Sequence, residues 1–387
     1  MRCRPYRDGA EVRVKIVSVM TTNARGGAEF AAVEMLHALV VRGHDTVMLT
    51  DQPEIGRDTA VRVKPLSIGP KLALGTWPGL LARWPLHIRR LRAALEAEAP
   101  YDVLLVHYKK EQLAARWLPP RLRATLVWAE WGPVPFPLRK GLPRAAYLDA
   151  ARPAAVVMAV SAGTRKSVMD VGVPGDKVVV VPNVLRTDDL RFTADGRARV
   201  RAELGIPADA FVVGCISRFH SKKRNDVVVE AVARLQGTPH LVLAGDGETE
   251  PDLRRRAEQL GDRAHFVATP GGDVADYLSA FDVLVFCPSP TEGAPRAVIL
   301  GMLASRPCLA TGAEGVADMI TPGLGAITEP ENDAGALTAV LESYQQDPER
   351  AAREGAAARR WAESTYAAPV VAAQIEELWR RSGASGP

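Results

Sequence analysis

Two short stretches place charged side chains where a phosphate could be held. In ISRFHSKKRNDVVVEAVARL (216–235), Arg218 ends a β-branched run, and Lys223 follows five residues later, just ahead of a helical spacing. Two fixed cations beside a helix N-terminus suit a diphosphate, because each adds a charge-assisted hydrogen bond to the field of the helix end. The alternative is a solvated basic loop, with His220 no more than a loop residue. In PSPTEGAPRAVILGML (288–303), Glu292 precedes the amides of Gly293, Ala294 and Arg296 at a second helix start. Pro295 suits a first helical turn, where its missing N–H costs little. Such a terminus can bind phosphate while Glu292 accepts hydrogen bonds from sugar hydroxyls. The alternative is an acid that only stabilises the helix dipole, an effect of ~0.3–1 kcal/mol.

Three further stretches have the same strand-to-helix setting. TTNARGGAE (21–29) carries Gly26 and Gly27, which let a backbone approach a ligand closely, or which simply make a turn with Glu29 as a first-turn acid. LAGDGETE (243–250) has a strand followed by Gly245-Asp246-Gly247, but Glu250 stands where a dinucleotide fingerprint needs its third glycine. A tight turn is the better reading. VHYKKEQ (106–112) and WAEWGPVPFP (128–137) put His107, Glu130 and Trp131 at strand ends, as contacts for a second substrate or as structural hydrogen-bonding groups.

The elements that must position these residues are short apolar runs alternating with longer amphipathic stretches. Residues 12–19, 44–50, 101–107, 124–130 and 154–161 read as buried parallel strands, and 29–43 as a helix ended by Gly43. The second half repeats the scheme at 210–217, 240–246, 264–269, 282–289 and 306–311. This alternation implies an α/β architecture with parallel sheets. VVVVPNVLRTDDLRF (178–192) reads as a hinge, dividing the chain into domains of about 1–185 and 186–365, with a last helical segment over 366–387. Doubly wound domains bind ligands at the carboxyl ends of their strands, which is where all five stretches lie.

The whole chain narrows the classes. Its 387 residues exceed a typical single core, and 47% hydrophobic with 24% charged residues is ordinary for a globular protein. A net charge of +4, with bases scattered among acids, leaves no nucleic-acid footprint. Thirty-nine arginines against ten lysines, with abundant alanine, read as a GC-rich coding bias. The charged opening MRCRPYRDGAEVRVK and the absence of any apolar run near ~18 residues give the expectation of a cytoplasmic protein. Cys3, Cys215, Cys287 and Cys308 lack CxxC pairing and read as reduced, structural residues. Residues 71–100 mix Trp77, Trp84, leucines and arginines, either a membrane-surface helix or a basic helix packed on its own sheet.

Taken together, in order along nearly the whole chain, these stretches resemble the family-4 retaining glycosyltransferases of the GT-B fold. GGAE is similar to the family's N-terminal glycine loop, SRFHSKKRND to its Arg…Lys diphosphate clamp, and VSAGTRKSVMDVGVPGDKVVVVPNVL to its interdomain passage. DGETEPDLRRRAEQLGDRAHFVAT and YLSAFDVLVFCPSPTEG are similar to segments that close around a nucleotide. The resemblance implies two Rossmann-like domains with parallel sheets facing across a cleft, acceptor on the first and nucleotide-sugar donor on the second. The last helix would cross back to the first domain. It implies donor contacts from Gly26, Gly27, Arg218, Lys223, Val267, Glu292, Gly293, Ala294, Arg296 and position 300. Acceptor contacts would come from His107, Glu130 and Trp131, and catalytic roles fall to Arg218, Lys223, Glu292 and Glu130. No cofactor or metal is implied, since basic side chains neutralise the leaving diphosphate.

The chain departs from that pattern at four places. The family's second acid, eight residues after Glu292, is implied to hold both ribose hydroxyls; here it is Leu300. The interdomain Asn-Gly-Val-Asp pattern reads Asn183-Val184-Leu185-Arg186, and the glycine after the clamp lysine is Arg224. The family's cleft histidine is replaced by Glu130, which could orient an acceptor hydroxyl or amine.

Overall fold

The computed structural model describes residues 13–22, 26–70, 79, 82–187, 190–268, 274–288, 292–312 and 315–381. The chain divides into two compact units, unit 1 comprising 1–185 with 368–387 and unit 2 comprising 186–367.

Unit 1 is built on a seven-stranded sheet: β1 (Lys15–Val19), β2 (Asp45–Thr50), β3 (Arg62–Pro65), β4 (Val103–Val106), β5 (Thr125–Glu130), β6 (Val156–Ala159) and β7 (Val178–Val180). Every neighbour pair is parallel, in the order β3-β2-β1-β4-β5-β6-β7. Parallel strands covered on both faces must be apolar at successive positions. That is why β4 reads Val-Leu-Leu-Val with all four residues buried. Alternate residues supply two cores. Val17, Val19, Leu104 and Val106 enter one with Trp128 and Tyr147, while Ile16, Val103 and Leu105 enter the other. The order reverses at β1, whose two neighbours are β2 and β4, a switch point of the kind at which doubly wound sheets bind ligands.

The helix Trp84–Glu98 turns Leu91 and Leu95 into the first core, with Trp84 and Ile88 half-buried against it, and leaves Arg89, Arg90 and Arg92 outward. Of the two readings of 71–100, its described part therefore packs on its own sheet; Trp77 lies outside the described residues. No helix among the described residues is long and apolar enough to cross a membrane. The last helix, Ala368–Arg381, buries Val371, Ala372, Ile375 and Trp379 beside the helix Gly27–Val41. Its Glu376 carboxylate accepts from Arg42 Nε and Nη2, both at 2.6 Å, and lies 3.0 Å from His44 Nε2.

Unit 2 repeats the plan with six parallel strands: β8 (Val212–Ile216), β9 (His240–Ala244), β10 (Ala264–Val267), β11 (Val283–Phe286), β12 (Cys308–Thr311) and β13 (Gly325–Thr328). Their order is β10-β9-β8-β11-β12-β13, reversing at β8. Cys215, Cys287 and Cys308 are buried free thiols whose pKa values burial pushes up, Cys215 to about 11; Cys3 lies outside the described residues.

Candidate functional site

At the switch point of unit 2, β8 runs into Ser217, Arg218 and Phe219, then a single turn at Ser221–Lys223 and the helix Asn225–Arg234. The loop is laced on both sides. Ser217 N–H donates to Ala244 O, Phe219 N–H to Asp246 O at 2.6 Å, and Thr249 N–H to Phe219 O. Gly245 and Gly247, at φ +153° and +146°, lie so close that an added Cβ would stand 1.9 Å from Ser217 O and 2.3 Å from Phe219 O. Only glycine permits that approach, so the DGE turn is a clamp on the loop, as the tight-turn reading requires. With Phe219 buried, the Arg218 backbone is fixed while its side chain is exposed and pairs with no described residue.

Lys223, by contrast, is paired. Its Nζ donates to Glu292 Oε2 at 2.8 Å and stands 5.0 Å from the centroid of Phe286, the last residue of β11. Both partners of this ion pair are partly exposed, at 20% and 24%. Arg224, where the family has glycine, adopts the left-handed conformation at φ +44° and is held by Asp226 at 3.1 Å. His220 is the loop residue expected as one alternative: its Nδ1 accepts from Lys222 N–H at 3.1 Å, and its Nε2 is 3.6 Å from Glu248. The second helix runs Arg296–Leu303 with Pro295 as N-cap, one position earlier than a first-turn proline would sit. Gly293 is buried, Ala294 and Arg296 are half-buried, and Leu300 is half-buried one turn beyond Arg296. Val267, at the end of β10, contributes its carbonyl to Gly245 N–H at 2.9 Å.

In unit 1, Gly26 is the extended N-cap of the helix Gly27–Val41, and Gly27 is exposed. Glu29 is buried and accepts from the Tyr108 hydroxyl. Of the candidates at strand ends, His107 and Glu130 are buried and hydrogen-bonded, the arrangement that the structural alternative describes. His107 is buried between Ser18 Oγ, 2.8 Å from Nε2, and Trp131, whose indole N–H donates to Nδ1 at 3.1 Å. An Nδ1 that accepts leaves the proton on Nε2, and burial lowers the pKa to about 3, so the ring is neutral. Glu130, ending β5, is 3% exposed with both oxygens engaged: the Tyr147 hydroxyl donates at 3.0 Å and Lys109 Nζ donates to the other. A carboxylate so enclosed has its hydrogen bonds satisfied within unit 1. Trp131 stays half-buried.

Lys109 is the residue that the reading of strand ends passed over. Its Nζ also lies 5.0 Å from the Tyr147 ring centroid, and burial lowers its pKa against the opposing pull of Glu130. The signal was its place, three residues after β4 at the first turn of the helix Lys109–Ala115. Nearby, Glu111 is fully buried; Oε1 accepts from Thr21 N–H at 2.9 Å and from its hydroxyl, while Oε2 has no partner among the described residues. No group of three or more His, Cys, Asp or Glu among the described residues could hold a metal ion.

Residues 25–189 match the family model described as Glycosyltransferase Family 4, and residues 210–347 match the one described as Glycosyl transferases group 1. A D-inositol 3-phosphate glycosyltransferase of Streptomyces avermitilis is 34% identical over 202 residues, 48% of this chain and 43% of the relative. The chain thus spans less than half the length of that relative. A protein of the same description from Kineococcus radiotolerans is 27% identical over 97% of both chains. The crystal structure of Anabaena HepE in complex with UDP and glucose superposes with a TM-score of 0.77 at 19% identity, over 94% of this chain and 99% of that one. With matching models on both halves and two parallel-sheet Rossmann-like units, the chain belongs to glycosyltransferase family 4 and to the GT-B fold class.

Proposed function

We propose that this protein is a retaining glycosyltransferase. It moves a hexose or aminohexose from a nucleoside-diphosphate sugar, UDP- first and GDP- second, to a hydroxyl of a small-molecule or lipid-linked acceptor. The observation that carries this reading is the partly exposed Lys223–Glu292 pair over Phe286, with the exposed Arg218 on the same loop five residues before Lys223. Cation and carboxylate are side by side, as a diphosphate and the sugar hydroxyls next to it would require. Arg218, Lys223 and the amides of Gly293, Ala294 and Arg296 stabilise charge that develops on the leaving diphosphate, a preorganised electrostatic effect. The bond from the anomeric carbon to the diphosphate oxygen breaks, and the acceptor oxygen bonds on the same face. The acceptor proton passes to the departing phosphate oxygen, so no protein base and no metal is needed. UDP and glucose in the Anabaena structure and the inositol phosphate of the relatives' names support a UDP-hexose and a cyclitol-like acceptor. Free thiols suit a reducing, cytoplasmic setting.

Leu300 favours a second reading, a nucleotide-sugar-binding relative without transfer, because an apolar side chain cannot take ribose hydroxyls. Calorimetric titration with UDP and GDP tests the first half of the proposal. Arg218→Ala and Lys223→Ala are expected to weaken the bound nucleotide about tenfold or more. Transfer should fall by roughly 10²–10³ in kcat. Unchanged binding in both variants overturns the donor site; nucleotide binding without turnover of any UDP- or GDP-sugar leaves the second reading standing.

A further inference from the structure

The opposite edge of the unit 2 sheet gathers positive charge from two separated segments. Arg197 and Arg201, on the helix Ala194–Glu203, and Arg306, just ahead of β12, converge on the chain that follows the helix Val274–Ala280. Arg197 Nη1 donates to the carbonyls of Ser279, Ala280 and Phe281 at 3.1, 3.3 and 3.0 Å. Arg201 Nε donates to Ala280 O at 3.0 Å, and Arg306 Nη1 to Phe281 O at 2.9 Å. A single inner carboxylate, Asp282, takes Arg197 Nη2 at 2.7 Å and Arg201 Nη2 at 3.0 Å.

Capping the carbonyls of a helix end accounts for Arg197 and Arg201, each of which also has the Asp282 carboxylate. It does not account for the charge of Arg306. That guanidinium pairs with no carboxylate among the described residues, lies 4.8 Å from the Phe192 ring centroid, and has no described hydrogen-bond partner for Nη2. Burial and the neighbouring Arg197 lower its pKa to about 10 against the opposing pull of Asp282, so the charge is only partly compensated. A cavity of about 310 Å³ opens beside it, lined by Arg197, Asp282, Arg306, Tyr344, Gln345 and Ala352, with the exposed Asp209 as the other carboxylate on its wall. Phe211, Asp282 and Arg306 precede β8, β11 and β12, whereas Lys223 and Glu292 follow the strands. Five residues at ~3.3 Å each separate the two edges by roughly 15 Å.

We propose that this cavity binds the phosphate group of a small metabolite, with Arg306 Nη2 as the principal donor and Arg197 beside it. A planar guanidinium held at its back, as Arg306 is by Ala304 O and Phe281 O, can turn its outer nitrogen to phosphate oxygens. Arg197, whose Nη1 and Nη2 are already engaged, adds its charge. The site is separate from the donor edge and does not depend on how that edge is read. The test is calorimetric titration of inorganic phosphate into the full chain carrying Arg218→Ala and Lys223→Ala, which silences the donor edge. One phosphate is expected to bind. Adding Arg306→Gln should weaken it about tenfold or more. Because Arg306 also holds Phe281 O, a second variant guards against misfolding. Ala352→Glu, at an exposed helical position, leaves all three arginines in place but sets a carboxylate at the mouth. It should weaken phosphate at least as much with an unchanged melting temperature. No phosphate binding in the parent, or parental affinity in either folded variant, overturns the proposal.

Discussion

The two units place charged residues at the same topological position, the carboxyl ends of parallel strands beside a switch in strand order, and treat them oppositely. In unit 1 the charges are closed in. Lys109 and Glu130 are 15% and 3% exposed and share Tyr147, His107 is neutral between Ser18 and Trp131, and Glu111 is fully buried. In unit 2 the Lys223–Glu292 pair is partly exposed and Arg218 projects into solvent. An enclosed pair can orient a substrate only through neighbours such as Trp131, since its own hydrogen bonds are satisfied. An open cation can take a ligand's charge directly. The same fold position thus carries an enclosed polar floor in one unit and solvent-open charges in the other.

The largest expected effect tests the enclosure of unit 1. Glu130→Ala strands the Lys109 ammonium among apolar neighbours, and breaking a buried pair this way costs about 3–5 kcal/mol. Glu292→Ala, at a partly exposed pair, should cost about 0–1 kcal/mol. Urea unfolding of both variants checks this, and Lys109→Met combined with Glu130→Ala should recover much of the loss. Equal destabilisation by Glu130→Ala and Glu292→Ala would erase the contrast.

A smaller effect is read in pH. Burial raises the Glu111 pKa to about 7, against the neighbouring Lys110 and the Thr21 hydrogen bonds that lower it. A carboxyl with a raised folded pKa binds its proton more tightly in the fold, so stability is greatest below the unfolded value of 4.5 and falls as pH rises to about 7. The full span is about 3 kcal/mol. Glu111→Gln should flatten that slope between pH 4.5 and 7, measured as unfolding free energy at several pH values; an unaltered slope would place the titration elsewhere.

The strands were readable because a parallel sheet covered on both faces demands continuous apolar runs, and β1, β2, β4 to β6 and β8 to β12 supply them. Two edge strands were not. β3 is Arg-Val-Lys-Pro with three residues exposed, and β13 is a four-residue Gly-Ala-Ile-Thr, so neither carries a run. Arg218, Lys223 and Glu292 could be picked out because chemistry collects after strands, but the pairing of Lys223 with a residue 69 positions away depends on the fold. Nothing local marks Lys109 as enclosed; Glu130 and Tyr147 do that from other elements. The group of Arg197, Arg201 and Arg306 was hidden by composition, three among thirty-nine arginines brought together from distant segments.

The smallest expected effect concerns the helix Arg296–Leu303, where the openness of unit 2 meets an apolar side chain. Leu300 lies one turn beyond Arg296 and is half-buried like it, so a carboxylate there could reach solvent and would not be trapped in the core formed by Val298, Ile299 and Met302. The family pattern assigns this position to the ribose hydroxyls. A charged hydrogen-bond acceptor restored there should add ~1.5–3 kcal/mol to the binding of a ribonucleotide and nothing to that of its 2′-deoxy form. The present chain is therefore expected to bind UDP and dUDP with similar affinity, and Leu300→Glu to prefer UDP by at least tenfold, both read by calorimetry. A wild-type chain that already prefers UDP strongly would mean that another group took over the ribose when the acid was lost. Unit 2 would then be less open than its exposed cation suggests, because part of the donor readout would already be built into its walls.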